Sequence, residues 1–452
     1  MKKNYEIDMC NGPITGKMLR FTLPLMLSSM LQLLFNAADI ITVGKFGSEH
    51  SLAAVGSNTA LINLLTNLFI GLSIGANVLV ARFYGAKNGE ELNETVHTAM
   101  LLSLISGLIL TVTGAIFARY FLIWMKTPAE ILDLATTYLK IYFLGMPAMM
   151  IYNFGSAILR AIGDTKRPLY FLAAAGVINI ILNILLVVVF RLDVKGVGIA
   201  TVISQTVSAI LIIRCLAKSN GDIKLEFKKL RFSRGKIGAI LRIGLPAGLQ
   251  GSIFSLSNVV IQSSVNIFGP VVVKGNSAAQ NLEGFVYFSM NAFHHATLSF
   301  TSQNMGAKKY DRLGKILKNG LCLAILFGAG FGGTVILFGR NLLSIYTNDS
   351  AAISAGMTRL YIITGTYTLC GIMDVMVGAI RGIGYTVLPT IVSLIGACAL
   401  RLVWLATVFR IPKFHTINTV YLSYPITWLV TIIAHVICYI IIRKKNRFGE
   451  MQ

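Results

Sequence analysis

Apolar and polar positions in this chain alternate on the scale of whole helices, not single turns. Twelve apolar stretches lie at about 18–43, 52–81, 93–117, 131–159, 168–190, 196–217, 237–268, 275–302, 316–338, 352–380, 385–409 and 418–442, joined by mostly short polar connections. A helix crosses a bilayer with roughly 20 residues, and the longer stretches are expected to tilt or extend into water. The longest connection, 218–236, is basic and polar and falls near the middle of the chain. The pattern predicts an all-α polytopic membrane protein with twelve transmembrane helices and an even number of crossings.

Within the first stretch the polar positions form a pattern of their own. Ser28, Gln32, Asn36 and Asp39 recur at helical spacing and share one face. A lipid-facing helix would not keep such a stripe, so this face is expected to look into protein or a wet cavity. A carboxylate near the bilayer centre costs about 2.5–3.5 kcal/mol on insertion scales, which makes Asp39 a functional candidate.

The chain also repeats itself. Leu19-Arg20-Phe21-Thr22-Leu23-Pro24 matches Leu241-Arg242-Ile243-Gly244-Leu245-Pro246 at an offset of 222, and Asn36 falls on Asn258. At an offset of 221, Gly85-Ala86-Lys87 matches Gly306-Ala307-Lys308, Ile158–Gly163 matches Ala379–Gly384, and Pro168 falls on Pro389. Two copies of a six-helix unit are implied. An even count per unit makes the repeats parallel: an N-lobe at 1–217, a basic linker at 218–236 and a C-lobe at 237–452, set around a central cavity.

The duplication is most informative where it breaks. Asp39 corresponds to Ile261, and Asn179 and Asn183, which share a face in the fifth stretch, correspond to Leu400 and Trp404. One carboxylate and two carboxamides are thus private to the N-half. Oxygen donors of this kind suit Na⁺, and a desolvated carboxylate suits a proton. The plainer alternative is hydrogen bonding between helices. The C-half carries its own intramembrane charges: Glu283, Asp374 and Arg401. Arg401 is expected to neutralise Asp374 or Glu283, either to fix packing or to meet substrate. His294 and His295 point about 100° apart on a helix and read as interior residues. Gly71-xxx-Gly75 and Gly328-Ala-Gly-Phe-Gly-Gly333 read as places where helices approach closely.

Composition sharpens this picture. Of the residues, 55% are hydrophobic and 13% charged, whereas soluble proteins carry charge on about a quarter. The formal charge of +22 does not indicate a nucleic-acid partner, because the charges sit between apolar runs. By our count 27 of the 40 Lys and Arg residues fall on one alternating set of loops and 9 on the other; Lys140, Arg242, Arg359 and Arg401 lie inside stretches or at their ends. The asymmetry places both termini and the central linker in the cytoplasm. The six scattered Cys have no CxxC spacing, so no disulfide framework or zinc site is expected. The N-terminus lacks a cleavable signal pattern, and no Walker A, HExxH or GxSxG signature supports an ATP-driven pump or an enzyme.

Taken together, these motifs resemble a known family, the MATE (multidrug and toxic compound extrusion) transporters. The matching features are Leu23-Pro24, Asn36-xx-Asp39-xxxx-Gly44-xx-Gly47, Gly85-Ala86, Leu159-Arg160-Ala-Ile-Gly-Asp-Thr165, Asn179-xxx-Asn183, Gln303-Asn304-Met-Gly-Ala307 and Ile380-Arg-Gly-Ile-Gly384. The resemblance implies a two-lobed antiporter in the bacterial cytoplasmic (inner) membrane, exporting cationic, often aromatic drugs in exchange for Na⁺ or H⁺. It implies an N-lobe cation site of Asp39, Asn179 and Asn183 with Thr201. Some relatives carry a second carboxylate where this chain has Asn183, so Na⁺ and H⁺ both stay open. Tyr367 and Asp374 match a C-lobe site described in part of the family. With Gln32, Asn36, Glu283 and Arg401 they form the candidate set for substrate or a second cation. The expected partners are small organic cations and membrane lipids, with no nucleic acid, no cofactor beyond the coupling ion, and a monomeric state. The alternative is a lipid-linked sugar flippase of the same wider superfamily. It would want a more cationic cavity than three carboxylates against Arg401 and Lys140 provide. A membrane enzyme or sensor would need a catalytic constellation or a soluble output domain, and the sequence contains neither.

Overall fold

The computed structural model describes residues 5–48 and 50–445. Lys2, Lys3 and Arg447, counted above with the basic loops, lie outside the described residues. Among those described, the regular elements are helices: α1 (Ile14–Phe46), α2 (Ser51–Gly85), α3 (Gly89–Trp124), α4 (Ala129–Leu144), α5 (Met146–Ala161), α6 (Lys166–Asn183), α7 (Asp193–Ala217), α8 (Arg234–Asn266), α9 (Pro270–Gly306), α10 (Asp311–Leu337), α11 (Gly339–Ser344), α12 (Ser350–Ile362), α13 (Tyr367–Ile383), α14 (Val387–Ser393), α15 (Leu400–Ala406) and α16 (Ile417–Lys445). Ten spans are long and apolar enough to cross a membrane, and α4 with α5 makes an eleventh. The twelfth long helix, α9, has 37 residues. Asn276, Gln280, Asn281, Glu283, Asn291 and the two His make it more polar than the others.

Two spans that read as continuous in sequence are broken. The fourth bends by 46° between α4 and α5, where Pro147 occupies the first turn of α5 and supplies no N–H to α4. The tenth is interrupted by a 3₁₀ turn, Thr364–Thr366, between α12 and α13. The fifth continues past Asn183 as a π-helical stretch, Ile184–Val189, and the eleventh contains another at Leu394–Ala399. Mean hydropathy cannot register such breaks, because both sides are equally apolar.

The repeat is visible in backbone detail. Lys87 and Lys308, 221 residues apart, both close a helix in the left-handed region, at φ 53° and 56°. Each turn makes the same two bonds: Lys87 N–H to Tyr84 C=O and Asn88 N–H to Phe83 C=O, then Lys308 N–H to Met305 C=O and Lys309 N–H to Asn304 C=O. Gly163 and Gly384 form a second matched pair at φ 96° and 116°, where an L side chain would be strained.

Contacts divide the chain into two compact units. One comprises Leu27–Ser252 with the chain up to Asp8; the other comprises Met9–Met26 with the chain from Ile253 onward. These boundaries differ from the sequence halves, for reasons visible in the first unit. The central connection is tied to α3: Asn93 Nδ2 donates to Asp222 C=O at 3.0 Å, His97 Nε2 accepts from Glu226 N–H at 3.0 Å, and Lys236 pairs with Glu91. The start of α8 then packs on α2, with Gly71 and Gly75 against the backbone of Ile240, Gly244 and Gly248. A side chain at any of these glycines would overlap backbone, so the close approach expected at Gly71-xxx-Gly75 is realised. In the second unit only part of the glycine run does this. Gly328 meets Met290 Sδ and Gly332 meets Thr364 C=O, whereas Gly330 and Gly333 face open space.

Candidate functional site

In the first unit the site is assembled by one notch. Gly176, Asn179 and Asn183 lie on one face of α6, at i, i+3 and i+7. The Phe35 ring of α1 fills the space a side chain on Gly176 would need. One turn beyond Phe35 on the same face stands Asp39, which this contact brings up to the Asn pair. Asn183 uses both amide protons, one to Asp39 Oδ1 and one to Asn179 Oδ1 at 3.2 Å. Its own carbonyl oxygen is buried with no partner. Thr201 Oγ1 lies 3.5 Å from Asp39 Oδ2 but only 2.9 Å from Val197 C=O. Its hydroxyl can donate to either oxygen.

Asn183, Asn179 and Thr201 thus present neutral polar groups to the Asp39 carboxylate, and no cationic side chain pairs with it among the described residues. Asn179 and Asn183 are 4% and 1% exposed, while Asp39 and Thr201 are half-buried. Tyr138, near enough to feel the Asp39 charge, and Val197, which accepts from Thr201, belong to a buried apolar cluster with Val43, Leu139, Val187 and Val194. A carboxylate with three neutral oxygens in such surroundings can take up a proton or a hard monovalent cation.

In the second unit the position equivalent to Asp39, Ile261, is packed into an apolar and aromatic cluster with Tyr424 and Trp428. The charges there sort differently from the sequence expectation. Glu283 is held by Arg359, with Nε to Oε1 at 2.9 Å and Nη2 to Oε2 at 2.8 Å, and both residues are buried. Arg359 Nη1 also donates to Asn276 Oδ1 at 2.8 Å, which accepts from the Tyr421 hydroxyl at 3.2 Å. Arg401 instead lies over the Tyr424 ring at 4.0 Å and donates to Thr427 Oγ1 at 3.1 Å. Its Nε is buried without a partner. The expected pairing of Arg401 with Glu283 or Asp374 is thus corrected. α12 runs along α9 and delivers Arg359 to Glu283, while Arg401 is turned towards α16. Among the described residues Asp374 forms no ion pair. Its Oδ2 is buried without a partner, and Asn291 and Arg381 are its polar neighbours.

The remaining candidates are scattered. Tyr367 stands between Tyr287 and Trp428, at 6.5 and 5.4 Å between ring centres. Gln32 and Asn36 are exposed and do not join the Asp39 cluster. His294 is buried, with Nδ1 2.7 Å from the Asp374 carbonyl, and Lys140 is exposed. Four contributors escaped the sequence reading. Arg359 carried a usable signal, a charge inside an apolar stretch. Gly176 carried only its spacing to the Asn pair. Tyr138 and Tyr142, near enough to feel the Asp39 charge, looked like ordinary core.

A duplicated set of spans with ionisable and carboxamide groups buried inside them defines a multi-pass membrane transport protein. The chain belongs to the MatE family, whose model matches twice, at residues 24–185 and 246–407. A probable multidrug resistance protein of Bacillus subtilis, YoeA, is 27% identical over 438 residues, covering 95% of this chain and 94% of the relative. A protein of Shewanella oneidensis named FAD transporter is 25% identical over 445 residues, covering 96% of each. Among solved structures, a transporter of the MOP superfamily from Pyrococcus furiosus superposes with a TM-score of 0.90 at 21% identity, covering all of both chains.

Proposed function

We propose that this chain is a cation-coupled exporter of small organic molecules, with Asp39 as the group that carries the coupling ion, Na⁺ or H⁺. The supporting observation is the polar cluster in the first unit, where Asp39 meets Asn183 and Thr201 beside an unpartnered buried carbonyl. Antiport requires that ion and substrate disfavour one another through a reciprocal coupling free energy. Ion loading from outside favours substrate release, and substrate binding from inside favours ion loss. The names of relatives such as YoeA support drug-like substrates, which we take to be mostly cationic. The Lys and Arg asymmetry supports an orientation with both termini and the central connection in the cytoplasm, and the family suits a bacterial cytoplasmic membrane.

The test is ethidium efflux from proteoliposomes under separately imposed Na⁺ and H⁺ gradients. One gradient is expected to drive efflux by the native chain and not by Asp39→Asn. Full transport by a folded Asp39→Asn protein overturns the reading.

A second reading concerns substrate charge. Arg401 is a buried guanidinium with no acidic partner among the described residues, set on Tyr424 and Trp428. That chemistry favours a flat anionic aromatic compound, the kind of molecule named for the Shewanella relative. Competition of a flavin nucleotide against ethidium separates the two: inhibition by the flavin supports the anionic reading.

A further inference from the structure

We propose that a groove between α6 and α7, away from the Asp39 cluster, binds the headgroup of an anionic phospholipid. The groove is open on its outer side, has a volume of about 270 Å³ and is lined by Arg167, Phe171, Leu211, Arg214, Cys215 and Lys218. Arg167 and Phe171 lie one turn apart at the start of α6. Leu211, Arg214, Cys215 and Lys218 follow i, i+3, i+4, i+7 spacing and so share one face at the end of α7. The groove thus sits where two spans leave the hydrocarbon, on the side holding most of the Lys and Arg.

The charges in the groove are unequally matched. Arg167 is engaged: its Nε pairs with Asp164, its Nη1 lies 3.2 Å from Cys215 Sγ, and Glu6 lies nearby. Asp164 is fully buried and also accepts the backbone N–H groups of Lys166 and Arg167, each at 3.1 Å, so it has little left to offer. Glu6 accepts from the Tyr84 hydroxyl at 2.9 Å. Arg214 and Lys218 are exposed and form no ion pair among the described residues. Two free cations rim a groove whose other walls, Phe171 and Leu211, are apolar. A soluble phosphate would satisfy only the cations. A phospholipid satisfies both, with its phosphate at Arg214 and Lys218 and its glycerol and first acyl carbons along Phe171 and Leu211. The inference stands whether or not the transport reading holds.

The test is native mass spectrometry of the full chain with phosphatidylglycerol or phosphatidylcholine at matched mole fraction. Phosphatidylglycerol is expected to be retained and phosphatidylcholine lost. Arg214→Gln with Lys218→Gln is expected to weaken retention by about 25-fold, from about five-fold per cation removed. The charge-keeping pair Arg214→Lys with Lys218→Arg should retain the lipid, which separates lost charge from lost fold. Lys315→Gln with Lys318→Gln, exposed at the start of α10, removes the same charge elsewhere and should have no effect. Equal retention of both lipids, equal loss in the two Gln pairs, or failure of the charge-keeping pair overturns the proposal. So does displacement of phosphatidylglycerol by equimolar glycerol phosphate or inorganic phosphate, which would mark a site for soluble phosphate.

Discussion

At the scale of residues, the two units handle buried charge in opposite ways. Asp39 meets only neutral polar groups, which suits the proposed role of gaining and losing an ion. Glu283 and Arg359 satisfy one another at two points and add Asn276 and Tyr421, which suits a fixed structural pair. Removing one partner of such a pair strands the other charge, so Glu283→Gln and Arg359→Ala are each expected to cost about 3–5 kcal/mol. Thermal unfolding of the purified protein checks this. Replacing both residues by apolar ones should cost less than either single change, and a cost equal to the sum would show that the pair is not coupled. Asp39→Asn removes no such pairing and should melt close to the native temperature, losing coupled transport alone.

At the scale of elements, glycine notches set how closely helices can run. Gly176 admits Phe35, and that contact aligns Asp39 with Asn183. Gly176→Val should push α1 away from α6 and weaken ion-coupled transport while leaving the carboxylate in place. Efflux assays on this variant beside Asp39→Asn would show whether alignment matters as much as charge. Gly248→Leu, with its side chain driven into the Leu68 backbone, should lower the melting temperature strongly. Gly330→Ala faces open space on α10 and should leave the temperature unchanged or raise it slightly, since Ala is the better helix former.

At the scale of the whole molecule, the predicted topology can be checked chemically. In a background without native cysteines, Lys228→Cys in the central connection should react with an impermeant maleimide only from the cytoplasmic side. Lys126→Cys, between α3 and α4, should react only from the opposite side. Reaction of both from one side would overturn the assignment drawn from loop charge. The compact units cut across the sequence repeat within α1 and α8, so truncation at the central connection would leave neither unit whole.

Much of this was legible in the chain because it depends on local chemistry. Segment length and apolarity specify spans, since the bilayer asks the same of every crossing. The offset of 221–222 specifies the duplication, and the matched turns at Lys87 and Lys308 follow from it. Asp39, Asn179 and Asn183 stood out because their repeat partners are apolar. Only the tertiary structure decided which buried charges meet. Arg359, Arg401, Glu283 and Asp374 lie far apart in sequence, and helix rotation and crossing choose among pairings that hydropathy treats alike. It also decided where spans break and where glycines are notches, because those depend on what a neighbouring helix presents, and no single segment encodes its neighbour.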